Sequence, residues 1–132
     1  MWNVELRDTG RVEAFRSACQ GLYTNVNVVF LVYAVNDKES FEKLSMWLRE
    51  VDLYTRHKKD TPRVIIGNKI DVDDRVISRE EGEAYAANFG VPYLETSAKT
   101  GQNVQEIMKL AFQLSPQENE NEQEKHGCCS LQ

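Results

Sequence analysis

Apolar and polar positions fall into blocks whose period changes along the chain. Trp2-Asn3-Val4-Glu5-Leu6 alternates with period two, the pattern of a strand with one solvated face. Phe15, Ala18, Cys19 and Leu22 recur at helical spacing and predict a helix over 13–23. Residues 28–33 are apolar without alternation, as expected of a strand covered on both faces. Phe41, Leu44, Leu48 and Val51 then mark one side of a helix over 40–54. Arg63-Val64-Ile65-Ile66-Gly67 is a second apolar strand. Ser78 and Glu81 form a capping box that opens a helix closed by Gly90. Val91-Pro92-Tyr93-Leu94 is a shorter strand. A last helix starts at Asn103 and buries Val104, Ile107, Met108, Ala111 and Leu114. Strict alternation of strand and helix predicts an α/β fold, a doubly wound, mostly parallel sheet with helices on both faces.

Composition narrows the function classes. The 132 residues fit a single domain. A formal charge of −5 argues against an electrostatic nucleic-acid binder. The longest apolar run, 28–35, is too short to span a bilayer, and Glu5, Arg7 and Asp8 interrupt any signal-peptide core. Cys19, Cys128 and Cys129 make no disulfide framework, and His57 and His126 lack metal-ligand spacing, which points to a reduced, cytoplasmic protein. Residues 1–115 read as the folded domain. Residues 116–132 begin with a polar run carrying four Glu and one Lys and read as a disordered acidic tail.

In a doubly wound sheet ligands bind beyond the carboxyl ends of the strands. Three polar clusters fall at such ends: Asp8-Thr9-Gly10, Gly67-Asn68-Lys69-Ile70-Asp71, and Glu95-Thr96-Ser97-Ala98-Lys99. With these residues the chain closely resembles the Ras superfamily of small GTPases, and within it the Rab branch. The second cluster is similar to the family's guanine-recognition motif and the third to its partner loop. Asp8-Thr9 with Glu13, Phe15, Arg16 and Ser17 resembles the entry to switch II, and Tyr33, Ser40-Phe41 and Trp47 fit the Rab pattern.

The resemblance implies a guanine-binding set of Asn68, Lys69, Asp71, Ser97, Ala98 and Lys99, with GTP or GDP and Mg²⁺ as cofactors. Guanine's Watson–Crick edge offers two adjacent donors, and an ionised Asp71 accepts both. Adenine presents an acceptor there, a mismatch worth on the order of 10⁴-fold in discrimination. Asn68 bridges base and loop, Lys69 and Lys99 cover the two ring faces, and the Ala98 N–H donates to the guanine carbonyl. Asp8 is left as an outer-shell Mg²⁺ partner.

Other parts of the family pattern are missing. No Gly-rich phosphate loop ending in Gly-Lys-Ser/Thr occurs. The sequence starts at the family's third strand, so the expected fold lacks the first two strands and first helix. Arg11 and Val12 stand where the family has its γ-phosphate-sensing Gly and its water-orienting Gln; no catalytic residue is assigned, and efficient GTP hydrolysis is not expected. The family's first strand lies between its third and fourth. Without it, strand 28–33 would expose an apolar edge, so the three later strands are expected to form a continuous sheet with residues 1–8 loosely attached or re-paired.

Cys129-Ser130-Leu131-Gln132 fits a prenylation box, and the adjacent pair Cys128-Cys129 is similar to a Rab double-geranylgeranyl signal. An acidic tail lacks the polybasic patch that assists a single lipid, which favours two. The resemblance thus implies a truncated, Rab-like guanine-nucleotide switch of membrane trafficking, held by lipid on the cytosolic face of a membrane. Its partners would be prenylation and escort factors, exchange factors and effectors. The alternatives are a non-catalytic prenylated interaction module and a non-functional fragment.

Overall fold

Strand β2 (Val28–Ala34) is the spine of the fold, and its sequence explains the layers around it. In the computed structural model, which describes residues 3–9, 20–55, 60–116 and, as backbone, 127–131, β2 is buried along nearly its whole length. Successive side chains point to opposite faces. Val29, Leu31 and Tyr33 therefore join one core with Leu44, Leu48, Val51, Ile65 and Ala86. Val28 and Phe30 join a second with Val64, Ile66, Ile107 and Ala111. Two cores on two faces require the non-alternating pattern seen in the sequence.

The remaining elements follow in chain order. β1 is Val4–Asp8, and a 3₁₀ turn spans Gln20–Tyr23. After β2 come helices α1 (Lys38–Glu42) and α2 (Leu44–Tyr54), strand β3 (Arg63–Asn68), helix α3 (Arg79–Asn88), strand β4 (Tyr93–Glu95), helix α4 (Val104–Leu114) and strand β5 (Gly127–Leu131). All ladders are parallel, and the strand order is β1-β5-β2-β3-β4. Helices α2 and α3 pack on the Leu31 face and α4 on the Phe30 face. The doubly wound parallel α/β architecture is as the pattern predicts.

Val104, expected on the buried face of α4, is 39% exposed, and three larger expectations need correction. The helix over 40–54 is two helices: Asp37 caps the first by accepting from the Ser40 N–H at 3.2 Å, and the chain re-initiates at Lys43. The helix over 13–23 is described only in its last four residues, which form the 3₁₀ turn; residues 10–19, with the switch II positions Arg11, Val12, Glu13, Phe15, Arg16 and Ser17 and with Cys19, lie outside the described residues. Third, the tail read as disordered supplies β5. Its residues 117–126 and 132 lie outside the described set, but 127–131 pair with β1 from Val4↔Gly127 to Asp8↔Leu131 and with β2 from Val28↔Cys129 to Phe30↔Leu131. The reason is the exposed edge noted above: a row of unpaired N–H and C=O groups on β2 is satisfied by any extended segment able to reach it. Of the segment 1–8, residues 4–8 are thus re-paired, through β5, and residues 1 and 2 lie outside the described residues.

The capping box forms as read, with Ser78 N–H donating to Glu81 Oε2 at 2.8 Å and Glu81 N–H to Ser78 Oγ at 3.1 Å. Gly90 follows the helix at φ +63°, a conformation that favours glycine.

Candidate functional site

The two base-motif loops meet because their strands are neighbours. β3 and β4 pair in register up to Gly67↔Glu95, so the chains leaving them run side by side. Thr96 N–H donates to Gly67 O at 2.8 Å, and Ile70 N–H to Thr96 O at 3.3 Å. Lys69 turns the first loop with φ +66°, in the left-handed region.

Side chains then lock the loops together. Ser97, fully buried, donates from Oγ to Asp71 Oδ1 at 2.6 Å and accepts from the Thr100 N–H at 3.1 Å. The Ala98 N–H donates to Asn68 Oδ1 at 3.1 Å. Asp71 itself is exposed, and the Ser97 hydrogen bond holds its carboxyl below the usual carboxylate range, against a smaller opposing effect of desolvation. It is ionised at neutral pH. Lys69 and Lys99 are exposed and lower it further.

All six residues named from the sequence are therefore on two adjoining loops. One assigned role changes: the Ala98 N–H, expected to face a base carbonyl, is engaged by Asn68, so it reaches a ligand only by sharing that bond or leaving it. A cavity of about 830 Å³ opens over the carboxyl ends of the strands. Asn68, Lys69 and Ala98 line it, and so does Asp8 at the end of β1; Asp71, Ser97 and Lys99 do not. Its floor is apolar, with Phe30, Val32 and Ile66.

A single carboxylate such as Asp8 does not by itself make a Mg²⁺ site, and among the described residues no group of three metal-ligating side chains exists. Magnesium bound by one carboxylate relies on phosphate oxygens and water for its other ligands. The cavity walls carry Asp8, Asp37 and Glu39 against Lys43 and Lys69, and Lys43 is paired with Glu39 at 2.7 Å. That balance among the described residues favours no polyphosphate.

Sequence reasoning missed the supports of the partner loop. Gln102 O accepts from the Ser97 N–H at 3.1 Å and from Thr96 Oγ1 at 2.7 Å, and Gly101 N–H donates to Ser97 O at 2.8 Å. Asn103, at φ +62°, latches the loop by donating from Nδ2 to Glu95 O at 2.9 Å instead of capping α4. Asn tolerates that backbone region better than most residues, so Thr100-Gly101-Gln102-Asn103 carried a legible turn signal. Beneath the loops, Arg75 pairs with Glu95, which accepts from Tyr93 Oη at 2.9 Å, and Tyr93 and Tyr33 hydroxyls lie 2.8 Å apart. Gly67 and Gly82 leave the room: a Cβ on Gly82 would lie 2.4 Å from Tyr93 Oη. Burial works to raise the Glu95 carboxyl, but Arg75 and Tyr93 outweigh it and hold it below its usual range. Burial and the hydrogen bond shared with Tyr33 push the Tyr93 hydroxyl up.

A family model described as Ras family matches residues 1–116. The chain is 40% identical over 102 residues to the Ras-related protein Rab-26 of Homo sapiens, covering 76% of this chain and 39% of that protein. It is 40% identical over 110 residues to the Ras-related protein Rab-37 of Homo sapiens, covering 83% and 47%. To the Ras-related protein RIC1 of Oryza sativa subsp. japonica it is 38% identical over 113 residues, covering 84% and 55%. The chain thus spans between 39% and 55% of the length of these relatives.

Proposed function

The chain belongs to the Ras family, in its Rab branch, and from that premise we propose that it reads a guanine base with the paired loops 68–71 and 96–99, as a nucleotide-dependent switch of vesicle and membrane trafficking. Ras-family membership implies a guanine nucleotide and usually Mg²⁺. The observation that carries the reading is the buried Ser97 hydroxyl donating to the ionised, exposed Asp71 while Ala98 holds Asn68.

The bound base would supply two adjacent N–H donors. Asp71 supplies the matching acceptors, charged at neutral pH and fixed in orientation by Ser97. Asn68, tied to Ala98, keeps its amide nitrogen available to a ring atom. Lys69 and Lys99, both exposed on the paired loops, carry aliphatic stems that would cover the ring faces. Specificity against adenine comes from Asp71, which would meet an acceptor there.

With walls of mixed charge, the loops favour the base over the phosphates. Cys128 and Cys129 are the proposed lipid sites, giving a peripheral anchor on the cytosolic face of a membrane, with prenylation and escort factors, exchange factors and effectors as partners. Among the described residues no helix is long and apolar enough to cross a membrane.

Calorimetric titration of Mg-GDP, GMP and guanosine into the full chain, beside Asp71→Asn with folding checked by circular dichroism, tests the reading. Guanosine is expected to bind within about tenfold of GDP, and Asp71→Asn to weaken both by about 100-fold or more. No binding by a folded chain would refute the base-reading role.

A further inference from the structure

The end of β4 carries a hydrogen bond that neither the sheet nor the following helix requires. Thr96 turns both of its backbone groups towards the first loop: its N–H donates to Gly67 O at 2.8 Å, and its C=O accepts from the Ile70 N–H at 3.3 Å. In a parallel strand the adjacent residue then faces the other way, so the Glu95 C=O points off the edge of the described sheet, where β4 is the last strand. Asn103 reaches it, donating from Nδ2 at 2.9 Å. Asn103 stands at the start of α4, where Asn ordinarily caps a helix by accepting from its first N–H groups. Its side chain makes no such bond, and its φ of +62° turns the chain back towards Glu95. A residue suited to capping the helix is used instead to close the turn 95–103.

The turn encloses Ser97. The Ser97 N–H donates to Gln102 O at 3.1 Å, and its C=O accepts from the Gly101 N–H at 2.8 Å. The turn therefore fixes where Ser97 Oγ lies, and that hydroxyl donates to Asp71 Oδ1 at 2.6 Å. Guanine presents a ring N–H and an exocyclic amine side by side. A carboxylate meets both only while its plane faces them, and a swing about its stem keeps one bond and loses the other.

We propose that Asn103 is a positioning residue for Asp71: by holding the Glu95 C=O it closes the turn that keeps Ser97 on the carboxylate, and it thereby sets discrimination between guanine and the same base without its exocyclic amine. The inference deepens the base-reading role proposed above and takes its ligand from it, while the latch itself stands on geometry alone. Asn103 acts through Ser97, not by touching the base.

The test is calorimetric titration of guanosine, and of inosine, which lacks the exocyclic amine, into the full chain and two variants, with urea unfolding beside each. Asn103→Asp removes the donor and keeps the size of the side chain, and a carboxylate at the start of a helix does not weaken it. Asn103→Gly removes the latch and keeps the left-handed backbone. The unaltered chain is expected to favour guanosine by at least about tenfold, and both variants to reduce that preference to about threefold or less while the urea midpoint of Asn103→Asp holds. A preference that is absent in the unaltered chain or unchanged in the variants overturns the proposal, since a latch that only held the loop together would weaken both nucleosides alike. Should neither variant fold, hydrogen exchange of the Asn103 side-chain amide in the unaltered chain decides: exchange slowed more by guanosine than by inosine supports the proposal, and any other pattern overturns it. If the folded, unaltered chain binds neither nucleoside, the base reading falls, and the Asp71 titration by NMR decides the positioning alone. A move towards the usual 3.8 in Asn103→Gly upholds it, and an unmoved carboxyl overturns it.

Discussion

The two sides of the sheet are built differently. β2 and β3 pair over six residues and bury both faces, and β3 with its other neighbour β4 carries the base-motif loops at their carboxyl ends. β1 is an edge strand with exposed apolar side chains, whose ladder in the described sheet is to β5 and whose Arg7 also donates to Thr24 O at 3.1 Å. The candidate site straddles the boundary, with Asn68, Lys69 and Ala98 on the firm side and Asp8 on the loose side. A base therefore meets a preorganised wall, while Asp8 stands on a strand whose ladder in the described sheet is to the tail. Preorganisation places recognition on rigid elements, and regulation draws on weakly held ones.

The sharpest way to break this contrast is a cavity in the firm side. Leu31 is fully buried in the core beneath α2. Leu31→Ala is expected to cost about 3 kcal/mol, measured as a lower urea midpoint. A loss under 1 kcal/mol would mean that this side is no better packed than the edge.

Next in size is the pair under the loops. Glu95→Gln removes the charge facing Arg75 and weakens the bond from Tyr93. Because the Arg75 side chain is 30% exposed, the cost at pH 7 is about 1–2 kcal/mol, less than for a fully buried pair. The sign with pH follows from the depressed Glu95 carboxyl. Its contribution is present above the usual 4.5 and is lost as pH falls through the lowered value, so the variant and the unaltered chain converge in acid. Thermal melts at pH 7 and in the acid range check this; a gap that widened in acid would contradict it.

Much of this architecture was legible. The unbroken run 28–33 announced a strand with two covered faces, and Ser78 with Glu81 announced a helix start, because each signal is local: side-chain direction in one case, a three-residue hydrogen-bond ring in the other. The base loops were legible as motifs, since adjacency follows once β3 and β4 are parallel neighbours. What escaped was non-local. Nothing in Gly127-Cys128-Cys129-Ser130-Leu131 looks like an interior strand; its pairing comes from the unsatisfied edge of β2, far earlier in the chain. The Arg75–Glu95–Tyr93–Tyr33 chain was hidden for the same reason, for it joins three elements through space vacated by Gly67 and Gly82. The break at Lys43 escaped because the apolar spacing carries on through it.

A smaller effect isolates the site from the scaffold. Ser97→Ala deletes the donor to Asp71 and the acceptor for Thr100. The expected cost in stability is about 1 kcal/mol, and in guanine affinity about tenfold, since Asp71 stays charged at pH 7 but loses its fixed orientation. The Asp71 carboxyl is expected to titrate closer to its usual 3.8, visible by NMR. An unmoved titration with unchanged affinity would show that Ser97 plays no part in positioning it.

The smallest effect is the most telling for the loose side. Leu6 is 53% exposed and lies opposite Cys129 on β5. Deleting its side chain removes little buried surface and leaves the backbone ladder in place, so Leu6→Ala is expected to shift stability by no more than about 0.5 kcal/mol in urea unfolding. Set beside Leu31→Ala, the two substitutions remove the same atoms from strands two places apart in one sheet. A ratio of several-fold between them locates the firm boundary at β2. A Leu6→Ala cost close to that of Leu31→Ala would instead mean that β1 and β5 share the core's cooperativity, and that the tail strand opens only when the whole domain does.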